Sequence, residues 1–253
     1  MYTSSLKAGL RGTALWRLLK EPTSVLHRCV RRLLGRQLPT RPQLHRETLQ
    51  LGGQAYGSWT LCPEQVGRGG VVYSFGVGED ISWELAMIER FEVTVHAFDP
   101  TPRSIQWVRR QKLPERFVIH EYGVADYDGV ACFYPPENSD WVSHTLLDRP
   151  ATATKAIEVP VRCLRTIMTS LGHDSVDLIK MDIKGAEYVV VRDMVKTKPV
   201  AGGAVQLLIE FHHRFSGKGI GDTRDSIRAL KKSGFRCFHI SSTGEEWSFL
   251  RDD

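Results

Sequence analysis

The sequence predicts an α/β fold built on a mostly parallel sheet. Three observations carry this expectation. From residue 70 onward, short apolar runs rich in β-branched residues alternate with segments of helical spacing, the pattern of βαβ units. The first run, 71–76, passes directly into Gly76-Val77-Gly78 and then into a helical segment. Acids stand at the ends of three runs: Asp99, Asp182 and Glu210.

Residues 1–46 read as a basic N-terminal arm, and residues 47–253 as the folded domain. The arm holds ten of the 34 Lys and Arg and one of the 29 acids, Glu21. The net charge of +5 therefore belongs to the arm, while the body is mildly acidic. That distribution argues against nucleic acid as a partner. Segments 14–20 and 25–34 have the spacing of short basic amphipathic helices, interrupted at Pro22 and ended by Pro39 and Pro42. Such an arm can pack on the body or offer peripheral contact to a membrane surface. Its Arg-rich, acid-poor composition also fits an organelle presequence. No run approaches 18 apolar residues, so no membrane span is expected. The five cysteines are scattered without a C-x-x-C pair, which predicts neither a disulfide framework nor a zinc site and fits the cytoplasm.

Within the domain, strands are expected at 71–76, 93–99 and 117–122, with helices at 81–90 and 103–112 between them. Asp126-Tyr127-Asp128-Gly129, flanked by β-rich residues, predicts a hairpin over 125–135. Residues 136–156 are polar and aromatic without a period and read as a substrate lid, with Tyr134, Trp141 and His144 as stacking candidates. A short strand at 158–161 leads into a helix at 164–171. A buried strand at 176–182, a helix at 186–195 and the most apolar strand, 205–211, follow. A helix at 222–233 is bounded by Asp222 and Gly234. Two closing strands, 235–240 and 247–250, joined by a short polar loop, predict an antiparallel C-terminal edge.

The glycine loop and the helix amides 81–83 have the arrangement of a nucleotide site. The dinucleotide pattern fails here, because Ile81 stands where a third glycine belongs and Glu79 and Asp80 would repel a pyrophosphate. Acids suit a cationic ligand bearing a sulfonium and an ammonium, which points to S-adenosylmethionine. Asp99 can accept hydrogen bonds from both ribose hydroxyls. Asp182 should point into the crevice at the strand ends, and Glu187 opens the next helix. Glu210, His212 and His213 share that rim, and histidine is the side chain suited to move a proton near neutral pH. No metal is expected, because the histidine pair lacks an evident third ligand.

The run 74–83, the Phe98-Asp99-Pro100 strand end, the Met181-Asp182-Ile183-Lys184-Gly185-Ala186-Glu187 block and the 209–212 rim together resemble the FkbM family of methyltransferases. The resemblance covers about residues 70–215. It implies a Rossmann-like class I methyltransferase fold, S-adenosylmethionine as cofactor, and O-methylation of sugars or natural-product hydroxyls. It places Phe75, Gly76, Gly78 and Asp80 at the methionine end, Asp99 at the ribose, Val124 and Asp126 near the adenine, and Asp182 near the transferring methyl. His212 is the first choice for general base, followed by Glu210 and His213. Two departures stand out: Ser74 replaces an acid of the common family loop, and Lys184 stands where an acid is frequent. The rival readings are an NAD-linked oxidoreductase, a non-catalytic adenosyl-binding module and a nucleic-acid methyltransferase whose basic arm tracks phosphates.

Overall fold

A computed structural model describes residues 37–53, 57–135, 155–197, 206–215 and 217–251. The arm helices expected at 14–20 and 25–34, and Trp141 and His144 of the expected lid, lie outside the described residues.

The strands are β1 (Leu49–Leu51), β2 (Trp59–Leu61), β3 (Val71–Phe75), β4 (Thr94–Phe98), β5 (Phe117–His120), β6 (Gly123–Ala125), β7 (Gly129–Phe133), β8 (Ile157–Cys163), β9 (Leu178–Met181), β10 (Gln206–Glu210), β11 (Phe235–Ile240) and β12 (Glu246–Arg251). The α-helices are α1 (Ser82–Phe91), α2 (Pro102–Val108), α3 (Leu164–Leu171), α4 (Glu187–Thr197) and α5 (Ile220–Lys232).

Seven strands make the central sheet in the order β11-β12-β10-β9-β3-β4-β5. β5, β4, β3, β9 and β10 run parallel. The chain leaves β3 for β4 on one side and later returns to β9 on the other, so the crevice of a doubly wound sheet opens at the ends of β3 and β9. The closing pair is antiparallel as expected, but with one refinement. β12 inserts beside β10, and β11 takes the edge.

Period-two alternation sends the two faces of these strands into two cores. Tyr73, Phe75, Ile179, Met181, Leu207 and Ile209 pack under α3, α4 and α5. Val72, Val95, Ala97, Leu178 and Leu208 pack under α1 and the N-terminal strand β2. Helix α5 starts two residues earlier than its sequence signal, because Asp222 acts from inside the first turn: its carboxylate accepts the Gly219 amide at 2.8 Å. Gly172 closes α3 in the left-handed region at φ +70°.

The hairpin expected over 125–135 is a turn without a hairpin. β8 lies between its two arms, parallel to β6 and antiparallel to β7. Val159 and Val161 of β8 close a small core with Ala125 and Ala131. Asp128 ties the turn down by accepting the Cys163 amide and the Thr166 hydroxyl, each at 2.7 Å.

The antiparallel pair β1–β2 was not anticipated from the sequence. It is joined to the sheet by Gln206, whose side-chain amide accepts from the Cys62 amide at 2.9 Å and donates to the Cys62 carbonyl at 2.8 Å. This fully buried clasp satisfies both polar groups of Cys62 where β2 ends.

Candidate active site

A cleft of about 770 Å³ opens where β3, β4 and β9 end. Phe75, Gly76, Gly78, Asp99, Val124 and Asp182 all line it, so six of the eight expected cofactor residues come together. Trp59, Phe98, Pro100 and Phe133 add apolar wall. At Gly76, with φ +81°, a Cβ would lie 2.0 Å from the Asp182 carbonyl oxygen, so the β3 and β9 ends can meet only through glycine. Gly78 has φ +60° and open space where a Cβ would be, which leaves room for a ligand against the backbone.

Asp99 is wired into the loop itself. Its Oδ2 accepts the amides of Val77 (3.1 Å) and Gly78 (3.0 Å), and its Oδ1 accepts that of Thr101 (2.8 Å). A carboxylate offers about four acceptor positions. One remains, on Oδ1, so Asp99 can take one ribose hydroxyl rather than two.

Four expected positions lie off the cleft wall. Asp80 is not on the cleft wall; its Oδ1 accepts the Ser82 amide at 2.8 Å and caps α1. Residues 81–83 are likewise absent from the wall, and the Ser82 amide is taken by Asp80. Asp126 is exposed in the turn and also lies off the wall. Glu79 pairs with Arg103 at 2.8 Å instead of facing the cleft. The carboxylates that do face it are Asp99 and Asp182.

Behind Asp182 lies a crowded charged cluster. Lys184, left-handed at φ +48°, brings its Nζ to 2.6 Å from Asp182 Oδ1 and 3.8 Å from Glu210 Oε2. His212 Nε2 lies 3.5 Å from Asp182 Oδ1 and 3.6 Å from Glu210 Oε1, and makes no hydrogen bond. Its Nδ1 lies 3.3 Å from Glu187 Oε1, which also accepts the His212 backbone amide at 2.7 Å. The other oxygen of Glu187 accepts the Gly185 amide at 2.7 Å, so this buried acid ties the start of α4 to the end of β10. His213 lies against Thr223 of α5 at 3.4 Å and is not on the wall.

Burial alone would raise the Asp182 carboxyl, but Lys184 and His212 outweigh it and hold the group below the usual carboxylate range. Burial, and then the charge of Asp182, push Glu210 up to about 8. For His212, burial disfavours the charged ring, but the Glu187 carboxylate outweighs it and raises the pKa.

A second buried cluster was not foreseen. The β3–β9 register sets Ser74 beside Lys180, and α1 lays Glu84 over both. Lys180 Nζ donates to Glu84 Oε1 (2.8 Å) and Ser74 Oγ (3.1 Å), and Ser74 donates to Glu84 (2.6 Å). The ammonium also lies 5.6 Å from the ring centres of Trp59 and Trp83. The acid missing at position 74 is thus delivered from the helix. The sequence signal was Glu84 on the apolar side of α1, between Trp83 and Met87.

The molecule is therefore an α/β protein with a glycine-loop ligand cleft and an acid- and histidine-bearing rim. Residues 52–237 match the model of the methyltransferase FkbM domain, and the chain belongs to that family. It is 25% identical over 192 residues to the rat and human proteins named "Probable methyltransferase-like protein 24", covering 72% of this chain. The chain spans about half the length of those relatives, 46%. Among solved structures, Methanococcus jannaschii fibrillarin, a pre-rRNA processing protein, is similar at TM-score 0.43 and 11% identity, covering 75% of this chain and 70% of that one. A Pyrococcus furiosus methyltransferase is similar at TM-score 0.37 and 11% identity, covering 90% and 99%. The family's cofactor is S-adenosylmethionine. The open backbone at Gly78, the spare acceptor position of Asp99 and the apolar wall around Val124 fit it.

Proposed function

We propose that the protein transfers the methyl group of S-adenosylmethionine to a hydroxyl oxygen of a sugar or another small natural product. The observation that carries this reading is the joining, through Asp182, of the glycine-loop cleft to the Glu210–His212 pair. When bound, the donor supplies an electrophilic methyl whose transfer to oxygen leaves a neutral thioether. Gly76 and Gly78 give it a close backbone approach, Asp99 holds a ribose hydroxyl, and Val124 packs near the base. Asp182 faces the reacting end and orients the acceptor hydroxyl. The hydroxyl proton passes to the cluster behind it, with His212 as the first acceptor and Glu210 the second. Holding the two reactants in line supplies several kcal/mol of the barrier reduction.

Residues 47–253 form the catalytic domain in this reading, 1–46 a separate arm suited to peripheral membrane contact, and 136–156 a lid. The cytoplasm is the proposed compartment. No helix among the described residues is long and apolar enough to cross a membrane. The test is calorimetry with S-adenosylmethionine and NAD in parallel, followed by methyl-transfer assays on glycan and small-molecule hydroxyls. Binding of the first donor alone, with turnover on a hydroxyl, is expected. Preference for NAD, or donor binding without turnover on any acceptor, would overturn it.

A further inference from the structure

Among the described residues, the acceptor end of the cleft gathers three acids around one buried histidine. Three carboxylates, Asp182, Glu187 and Glu210, surround His212, and one ammonium, Lys184, stands among them. The next lysine, Lys180, is already committed to Glu84. His212 is more than nine-tenths buried.

The orientation of His212 sharpens the point. Its Nδ1 lies against Glu187, an acceptor, and its Nε2, buried and without a hydrogen bond, is directed between Asp182 and Glu210. A metal ion between these groups would take the Nε2 lone pair in place of a proton. The Nε2 distances of 3.5 and 3.6 Å exceed the ~3.2 Å of a good N–H···O bond. They lie at the long end of the separation of co-ligands, since two atoms each about 2.1 Å from one ion lie roughly 3.0–3.5 Å apart. Ligand atoms of all three residues fall within 4.8 Å of one another. The Glu187–His212 contact is the carboxylate–histidine support usual behind a metal-bound imidazole.

We propose that Asp182, Glu210 and His212 hold a divalent transition cation, with His212 Nε2 as the nitrogen ligand and Glu187 as its positioning residue. One imidazole and two carboxylates suit Mn²⁺ and Zn²⁺ chemistry better than an all-oxygen Mg²⁺ shell. The third ligand that the sequence did not reveal beside the histidine pair is Asp182, 30 residues before His212 in the chain. The Lys184 ammonium competes for the same oxygens and sets the affinity. The inference rests on reading this cluster as the acceptor end of the cleft. An ion there would polarise the acceptor oxygen, and His212 would then act as ligand rather than base.

The experiment is a Mn²⁺ titration of the full-length protein, followed by the electron paramagnetic resonance signal of free Mn²⁺, with calorimetry of S-adenosylmethionine on the same sample. One Mn²⁺ per chain is expected. Affinity should fall at least tenfold in His212→Ala and Glu210→Gln and rise at least tenfold in Lys184→Met. Glu210→Gln guards against loss of fold in the more buried His212→Ala, and each variant is checked by its melting curve. Absence of Mn²⁺ uptake by the wild type at millimolar concentration overturns the proposal, as does uptake that His212→Ala and Glu210→Gln leave unchanged. Donor binding without Mn²⁺ uptake would sink this inference alone. Mn²⁺ uptake without donor binding would sink the methyl-transfer reading alone.

Discussion

Lys180 and Lys184 stand four residues apart on the same cleft wall, in opposite electrostatic situations. Lys180 has one carboxylate, one hydroxyl, the Gly76 carbonyl and two aromatic faces, so its charge is matched by the single acid Glu84. Lys184 shares two carboxylates with a histidine that already answers to a third. The first arrangement is settled and braces the sheet. The second keeps an imbalance that a proton, an acceptor group or an ion can relieve. Charge balance thus separates the part of the wall that holds shape from the part that does chemistry.

The largest expected effect tests the balanced cluster. Lys180→Met leaves Glu84 buried without its cation and should cost about 3–5 kcal/mol of stability by urea unfolding. Adding Glu84→Leu should recover most of that loss; no recovery would mean that the two residues do not form a closed pair. Next comes the unbalanced cluster. His212→Ala should lower turnover by roughly a hundredfold or more while leaving donor affinity within a fewfold, read by single-turnover kinetics and calorimetry. Equal losses in both would make His212 part of the donor site.

Asp99 provides a third carboxylate for calibration, because backbone amides rather than a lysine hold it. Asp99→Ala should weaken donor binding about tenfold to a hundredfold. Asp80→Ala should leave that affinity unchanged and cost about 1 kcal/mol of stability, as a lost helix cap does. The smallest effect concerns buried titratable rings with no opposite charge. Burial, then His120 and His173, push His96 down to about 4 from 6.5. The unfolded chain therefore binds more protons between those values, and stability falls as pH drops from 6.5 towards 4. Melting temperatures across that window should show the slope, and His96→Asn should flatten it.

The parallel sheet was legible because apolar runs and helical spacing alternate over 71–122 and again over 164–232, on either side of the turn and the aperiodic segment. The wall residues Gly76, Gly78, Asp99 and Asp182 were legible because strand ends are marked by glycine or acid. Asp80 misled, since a carboxylate just before a helix reads the same whether it meets a ligand or the helix's own amide. The Asp126 turn read as a hairpin because sequence shows a turn but not which strand comes to lie between its arms. Glu84 and Trp59 escaped notice for a different reason. Their roles depend on the β3–β9 register and on the β1–β2 pair, which are long-range pairings that local pattern does not encode.

The Gln206 clasp has a consequence for how the cleft is kept closed. Gly57 and Trp59 belong to its wall, and the chain after them is held to the sheet by the Gln206 amide, which imitates a rung of β-ladder, and by the Ser248 hydroxyl, which donates to the Thr60 carbonyl at 2.7 Å. Gln206→Ala would remove that rung and strand the Cys62 amide, while the carbonyl keeps the Gln65 amide. The short N-terminal ribbon could then peel away from an otherwise intact sheet, admitting water to the floor of the cleft beside Lys180. Faster hydrogen exchange confined to residues 57–62 would be its signature, a loosening at one rim rather than an unfolding of the whole.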